Sequence, residues 1–223
     1  MILPASRALT IALVVLGAGA ARAELGSTWK PMGSVDYLGA GNAGKHNKDG
    51  ASGWCAGNLA RHLVTACSYD VTSYGAIGGR IGAVYSSPKS YAGASVGYYY
   101  GGPTAGRTNL AVTPTGAADS RTIDRTARFL LEDGYRFDLG EGWGVALGAA
   151  AGLALVHETM TCSDSGSLAC VLARDDLDRG WPTWEAGPAL LNGPFELAVR
   201  YVGFARHHAV PWTTFGISAG FRF

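Results

Sequence analysis

The chain has 223 residues, 18 Lys+Arg against 17 Asp+Glu, and a formal net charge of +1. That balance speaks against a polyanionic partner such as nucleic acid. The length suits one domain after removal of a leader, and beyond the leader no apolar run approaches the ~18 residues a membrane-spanning helix needs.

The first element, residues 1–23, reads "MILPASRALTIALVVLGAGAARA". One early cation (Arg7), an apolar stretch from Leu9 to Ala21 and the small-x-small triplet Ala21-Arg22-Ala23 have the form of a secretory signal peptide cleaved after Ala23. The expected mature domain is 24–223. Export also shapes the reading of the four cysteines, which in an oxidising compartment pair as disulfides. Two local loops, Cys55 with Cys67 and Cys162 with Cys170, are the chosen connectivity of the three possible ones. A zinc site from Cys55, His62 and Cys67 matches no ligand spacing, so no metal or cofactor is expected.

Downstream, apolar and small or polar residues alternate with period two, the mark of strands with two unlike faces. Eight strands are expected, at about 27–40, 72–85, 90–101, 124–138, 142–158, 181–191, 194–206 and 211–223. Strand five is the clearest: Trp143, Val145, Leu147, Ala149, Ala151, Leu153 and Leu155 share one face, with glycine and alanine on the other. In strand four Asp133 falls on the apolar parity, which predicts a bulge near Gly134 or a shifted register. Pro182 and Pro188 lie in strand six and cannot donate ladder hydrogen bonds. The connections 86–89, 139–141 and 192–193 are short, whereas 41–71, 102–123 and 159–180 are long and polar; 207–210 is brief.

Two-faced strands joined as hairpins predict an all-β, antiparallel, up-and-down eight-stranded barrel. Four features turn it inside out, as a transmembrane barrel with long exterior loops. The polar-parity face is mostly Gly, Ala and Ser, too small for a solvated outer wall but suited to a narrow lumen. Its charges, Arg80, Arg128, Glu132, Arg136, Glu185, Glu196, Arg200 and Arg222, are of both signs and can pair inside. Aromatics gather near the strand ends, Tyr85, Tyr91, Tyr135, Phe137, Trp143, Phe195, Phe221 and Phe223 at the short-turn end, and Tyr37, Tyr98, Tyr100, Trp184 and Tyr201 at the other. Short turns alternate with long loops, the asymmetry between periplasmic and exterior ends.

With its leader, eight amphipathic strands and terminal Phe-Arg-Phe, the chain resembles the small OmpA/OmpX-type outer-membrane barrels of Gram-negative bacteria. The resemblance covers nearly all of the mature chain as architecture. It implies residence in the bacterial outer membrane among its lipids, and biogenesis by the barrel-assembly machinery, which reads the terminal aromatic; that role would fall on Phe223, with Phe221 and Phe215 beneath it. It also implies a structural or surface-interaction role, with a surface ligand met by the exterior loops.

Fold does not settle function, and two other classes are open to such a barrel. A lipid A-modifying acyl hydrolase or acyltransferase needs a serine nucleophile and histidine base at the rim. The candidates are His157 and Glu158, His207 and His208, and His62 with Asp119-Ser120. Lipid A deacylase barrels are similar in carrying a His-x-Ser-Asn stretch on a late strand, but "YVGFARHHAVPW" has no serine, and Asp119-Ser120 with His62 match the palmitoyltransferase barrels only as residue types. A conduit for small apolar solutes is the third class; eight strands leave no aqueous channel once Arg and Glu fill the lumen.

Overall fold

The structure is a computed structural model and describes residues 28–102, 105–113, 116–162, 177–205 and 211–222. The leader, Cys170, His207, His208 and Phe223 lie outside them. In chain order the elements are β1 (Thr28–Leu38), α1 (Ala43–Ala60), β2 (Ala66–Ser73), β3 (Ala76–Ser86), β4 (Ser90–Tyr100), β5 (Gly106–Thr113), β6 (Gly116–Gly140), β7 (Trp143–Cys162), β8 (Leu177–Asn192), β9 (Phe195–Phe204) and β10 (Trp212–Arg222).

Eight of these strands close a ring, β1-β3-β4-β6-β7-β8-β9-β10, with every neighbour antiparallel. The seam runs from Met32 opposite Arg222 to Leu38 opposite Gly216. The eight-stranded barrel expected from the periodicity is therefore observed, but the described strands number ten. The two additional ones come from segments expected to be loops. β2 and β5 are continuations of β3 and β4 beyond a kink; they pair with each other, and β5 pairs in turn with the start of β6. At that kink Gly101 has φ +92°, and a side chain there would collide with the Gly75 carbonyl oxygen. Only glycine fits so close an approach of backbones.

The bulge expected near Gly134 is absent. Both ladders of β6 run through Asp133 without a shift, and its carboxylate accepts the Gly134 backbone N–H at 2.8 Å. The irregularity lies instead between Asp138 and Gly140, in the tight turn where Gly140, Glu141 and Gly142 all take positive φ. Pro188 does interrupt pairing: the β8–β9 ladder stops at Ala186 and resumes at Ala189 in the same register, as expected of a residue without an N–H.

α1 was not foreseen. Its sequence holds Gly44, Gly50, Gly53 and Gly57, each costing about 1 kcal/mol against alanine in a helix interior, so local propensity argues against it. Tertiary contacts supply what propensity lacks. Ala51, Cys55 and Asn58 form one buried stripe, and Cys55, Val64 and Val112 pack with Trp54, Cys67, Tyr69 and Cys162 into a small core outside the barrel. A Cys55–Cys67 disulfide, Cα–Cα 5.6 Å, staples helix to β2. Asn42 pins the start of the helix to β10: its amide accepts the Thr213 N–H at 2.9 Å and donates to the Pro211 carbonyl at 2.9 Å.

A loop of this length is worth about 3 kcal/mol when closed by a disulfide, and here that acts on the exterior cap rather than the barrel. Reducing Cys55–Cys67 is expected to raise amide hydrogen exchange across 43–73 at least tenfold while leaving β7 to β10 protected. Equal loss of protection in the barrel strands would show the two parts to be one cooperative unit.

Candidate functional site

Two surfaces carry the chemistry: the lumen, and the exterior rim. Along each strand of the ring, alternate side chains are buried inside and the others stand on the outer wall. That wall is apolar, with Val35 65%, Ile81 73% and Phe215 67% exposed. Rows so greasy could not face water without aggregation; they are the lipid-facing surface of a transmembrane barrel.

Inside, the charges form two networks. In the one nearer the exterior, Glu185 bridges Arg80 (2.5 Å) and Arg128 (3.0 Å), all three buried. Arg80 also pairs with Asp36 at 3.2 Å. Asp36 in turn accepts hydrogen bonds from Tyr99 (2.6 Å), Ser34 (2.8 Å) and Ser218. Arg128 donates to Thr183 at 3.1 Å and lies over the rings of Tyr99 and Phe204. In the network nearer the short turns, Arg222 meets Glu196 (2.5 Å) and Glu132 (3.3 Å), and Arg200 meets Glu196 (2.9 Å). Arg200 also donates to the Gly187 carbonyl at 3.3 Å, beside the gap that Pro188 leaves in the ladder.

Tyr91 belongs to this second network, not to the aromatic belt where the sequence reading put it. It is buried, on the same parity of β4 as Ser95 and Tyr99, and its ring faces the Arg222 guanidinium at 4.1 Å and Arg136 at 5.6 Å. The space exists because Gly134 and Gly148 are paired across β6 and β7. A side chain at either would strike the Tyr91 ring or hydroxyl.

The lumen is thus layered. An apolar cluster including Leu38, Trp181, Phe204 and Trp212 caps the long-loop end, and another of Met32, Val84, Tyr91, Ala146, Ala189 and Ala198 lies near the short-turn end. Arginines and acids between them offset one another's desolvation. Paired charges thus fill the described lumen between two apolar layers. Sequence reasoning missed Asp36, Tyr99, Thr183 and Ser218 as members, although parity marks each: Asp36 shares its row with Ser34, and Val35 and Tyr37 take the other.

Among the described residues, the ladder positions of His157 and Ser120 stand apart. His157 is exposed and stands opposite Arg125 in the β6–β7 ladder, whereas Ser120 stands opposite Cys162. The offset of five residues is ~17 Å along the strand and places the two positions on opposite faces. Glu158 is next to His157 and so of the opposite parity. Asp119 is bound to Arg107, whose guanidinium donates through Nε and Nη2; that hydrogen bond holds the Asp119 carboxyl below its ordinary range. His62 ends the turn after α1 with φ +55°, exposed to solvent. Cys55 and Cys67 are consumed by their disulfide. Cys162 is also disulfide-bonded.

The chain matches no protein-family model and no curated relative. Among solved structures it is similar to Ail, the attachment invasion locus protein of Yersinia pestis, at 11% identity and a TM-score of 0.47, covering 87% of this chain and 98% of that one. It is also similar to the N-terminal β-barrel domain of Pseudomonas aeruginosa OprF, at 14% identity, TM-score 0.40, 88% of this chain and 100% of that one. Neisserial surface protein A is a third, at 14% identity, TM-score 0.39, 88% of this chain and 97% of that one.

Proposed function

We propose that the chain is an outer-membrane barrel of a Gram-negative bacterium, exported by its leader, inserted by the barrel-assembly machinery, and serving as a rigid mount for a surface-binding cap. The cap is α1, β2, β5 and the upper part of β6. The observation that carries this reading is the pairing of an ion-paired lumen with a separate disulfide-stapled core at the long-loop end. A lumen so filled is suited to stability rather than transport, and side chains that could recognise a partner are concentrated where the chain leaves the membrane. The disulfide keeps that surface shaped in an oxidising exterior.

Cells producing the chain should carry it in the outer-membrane fraction as a heat-modifiable band. Replacing residues 43–65 by a short Gly-Ser linker should leave that band intact while abolishing attachment of the cells to an array of glycans and extracellular proteins. Attachment that survives the replacement would remove the cap from the account. Discrete conductance steps in a planar bilayer would contradict the plugged lumen.

A further inference from the structure

Among the described residues, the outward rows of the ring strands between the two aromatic levels carry apolar side chains, glycine or proline, with one exception. Asp133 stands on the outward row of β6, between Leu131 and Tyr135. It cannot turn into the lumen, because both ladders run through it without a shift and Glu132 and Gly134 take the inward places. Its carboxylate accepts the Gly134 backbone N–H at 2.8 Å, and no ion pair among the described residues includes it. The neighbours leave it uncovered. Ala92 on β4 and Ala149 on β7 stand directly opposite it, and Ala186 on β8 comes next in the row. This alanine floor crosses four strands, about 14 Å, between Tyr85 on β3 and Tyr201 on β9.

We infer that this sector of the wall is a selective seat for a lipid with a primary ammonium headgroup, in the leaflet on the short-turn side. The inference rests on the outer-membrane reading above and adds to it a ligand class and a location. Depth supports it first. Tyr135 is the next outward residue towards the short turn, and Phe137 the one after. On a strand tilted by about 40°, Asp133 stands about 5 Å inward of Tyr135, whose belt marks the headgroup zone. The bond to Gly134, the next residue along β6, holds the carboxylate on that side. Headgroup and carboxylate therefore meet by a short reach of each, with acyl chains over the alanine floor. An ionisable side chain kept on a membrane wall, where it is destabilising according to its depth, marks a functional contact.

Chemistry selects among the lipids that reach it. Ester carbonyls offer no donor, and a headgroup with net negative charge is repelled. A quaternary ammonium carries the charge but no N–H. A primary ammonium brings both, three donors on a compact cation. A second copy of the chain is a poorer occupant, since an isologous contact at this place would set Asp133 against itself.

The test uses the full mature chain in a non-ionic detergent and native mass spectrometry with three added lipids of the same acyl chains: phosphatidylethanolamine, phosphatidylcholine and phosphatidylglycerol. The wild-type chain is expected to hold phosphatidylethanolamine about fivefold more tightly than either of the others. Asp133→Asn should erase that preference, and Glu141→Gln, which removes an exposed acid of the neighbouring short turn, should leave it unchanged. Heat-modifiable mobility of each variant confirms that the barrel is folded. A purely structural carboxylate predicts something else: Asp133→Leu would then lower the denaturant midpoint, whereas a lipid seat requires a midpoint equal to or above that of the wild type in detergent without amine. Equal retention of the three lipids by the wild type, an unchanged preference in Asp133→Asn, or a lowered midpoint in Asp133→Leu overturns the seat. Disulfide-linked dimers of an Ala149→Cys variant in native membranes would also overturn it, by giving the alanine floor to a second copy. Failure to hold any of the three lipids would sink the membrane reading itself, a result distinct from loss of the headgroup preference alone.

Discussion

Glu185→Ala is expected to lower the unfolding free energy of the barrel by about 3–5 kcal/mol, the cost of removing one partner from a buried ion pair. Glu185 is 5% exposed and its two oxygens are shared between Arg80 and Arg128. Without it Arg80 keeps Asp36, but Arg128, which is 0% exposed, is left with the Thr183 hydroxyl and two aromatic faces among the described contacts. A buried guanidinium with no counter-charge is the dominant penalty, and the cavity left by the side chain adds to it. Removing both charges should therefore cost less than removing one: Glu185→Leu combined with Arg128→Met should recover at least half of the loss, since apolar residues of similar volume often replace a buried pair without penalty. Denaturant midpoints in detergent, read by tryptophan fluorescence, decide the matter. A double variant as unstable as the single would mean that packing, not charge, governs this layer.

Gly148→Val should destabilise the barrel by about 3 kcal/mol, combining overpacking with loss of the desolvated contact between the Tyr91 ring and Arg222. The Cβ of any residue at 148 would strike the Tyr91 hydroxyl and stand 3.0 Å from Arg200, and at 134 it would stand 2.5 Å from the Tyr91 ring. The ring has no alternative place, because it is buried between β4 and the paired glycines. Trimming the tyrosine tests the mechanism. If the clash with Tyr91 is the cause, Gly148→Val in a Tyr91→Ala background should cost less than half as much as in the wild type. Strictly additive losses would place the cause in the β7 backbone instead.

The barrel was legible because period-two alternation is a direct consequence of the pleat, and one buried face fixes it over every strand. Strand five shows this best, its rows of Leu and Gly/Ala separating inside from outside in the sequence as they do in β7. What failed did so for identifiable reasons. Tyr91 was assigned by its nearness to a strand end, although its parity with Ser95 and Tyr99 placed it inside; its glycine platform is formed by strands forty and more residues away and leaves no local signal. α1 was hidden by four glycines and is held by a disulfide and an apolar core contributed from β2, β5 and β7. β2 and β5 were read as loops because their polar, Thr- and Asn-containing segments pair outside the apolar band, where no lipid enforces alternation.

Whether the greasy rows touch lipid is measured most directly by nuclear Overhauser contacts between methyl groups and acyl chains, with the isotope-labelled mature chain in lipid nanodiscs. The account predicts acyl-chain cross-peaks for Ile81, Leu153 and Val199, which stand on the outer wall, and none for Ala154 and Val202, which are buried in the lumen. Acyl contacts at Ala154 and Val202, with water contacts at Ile81 and Leu153, would contradict it.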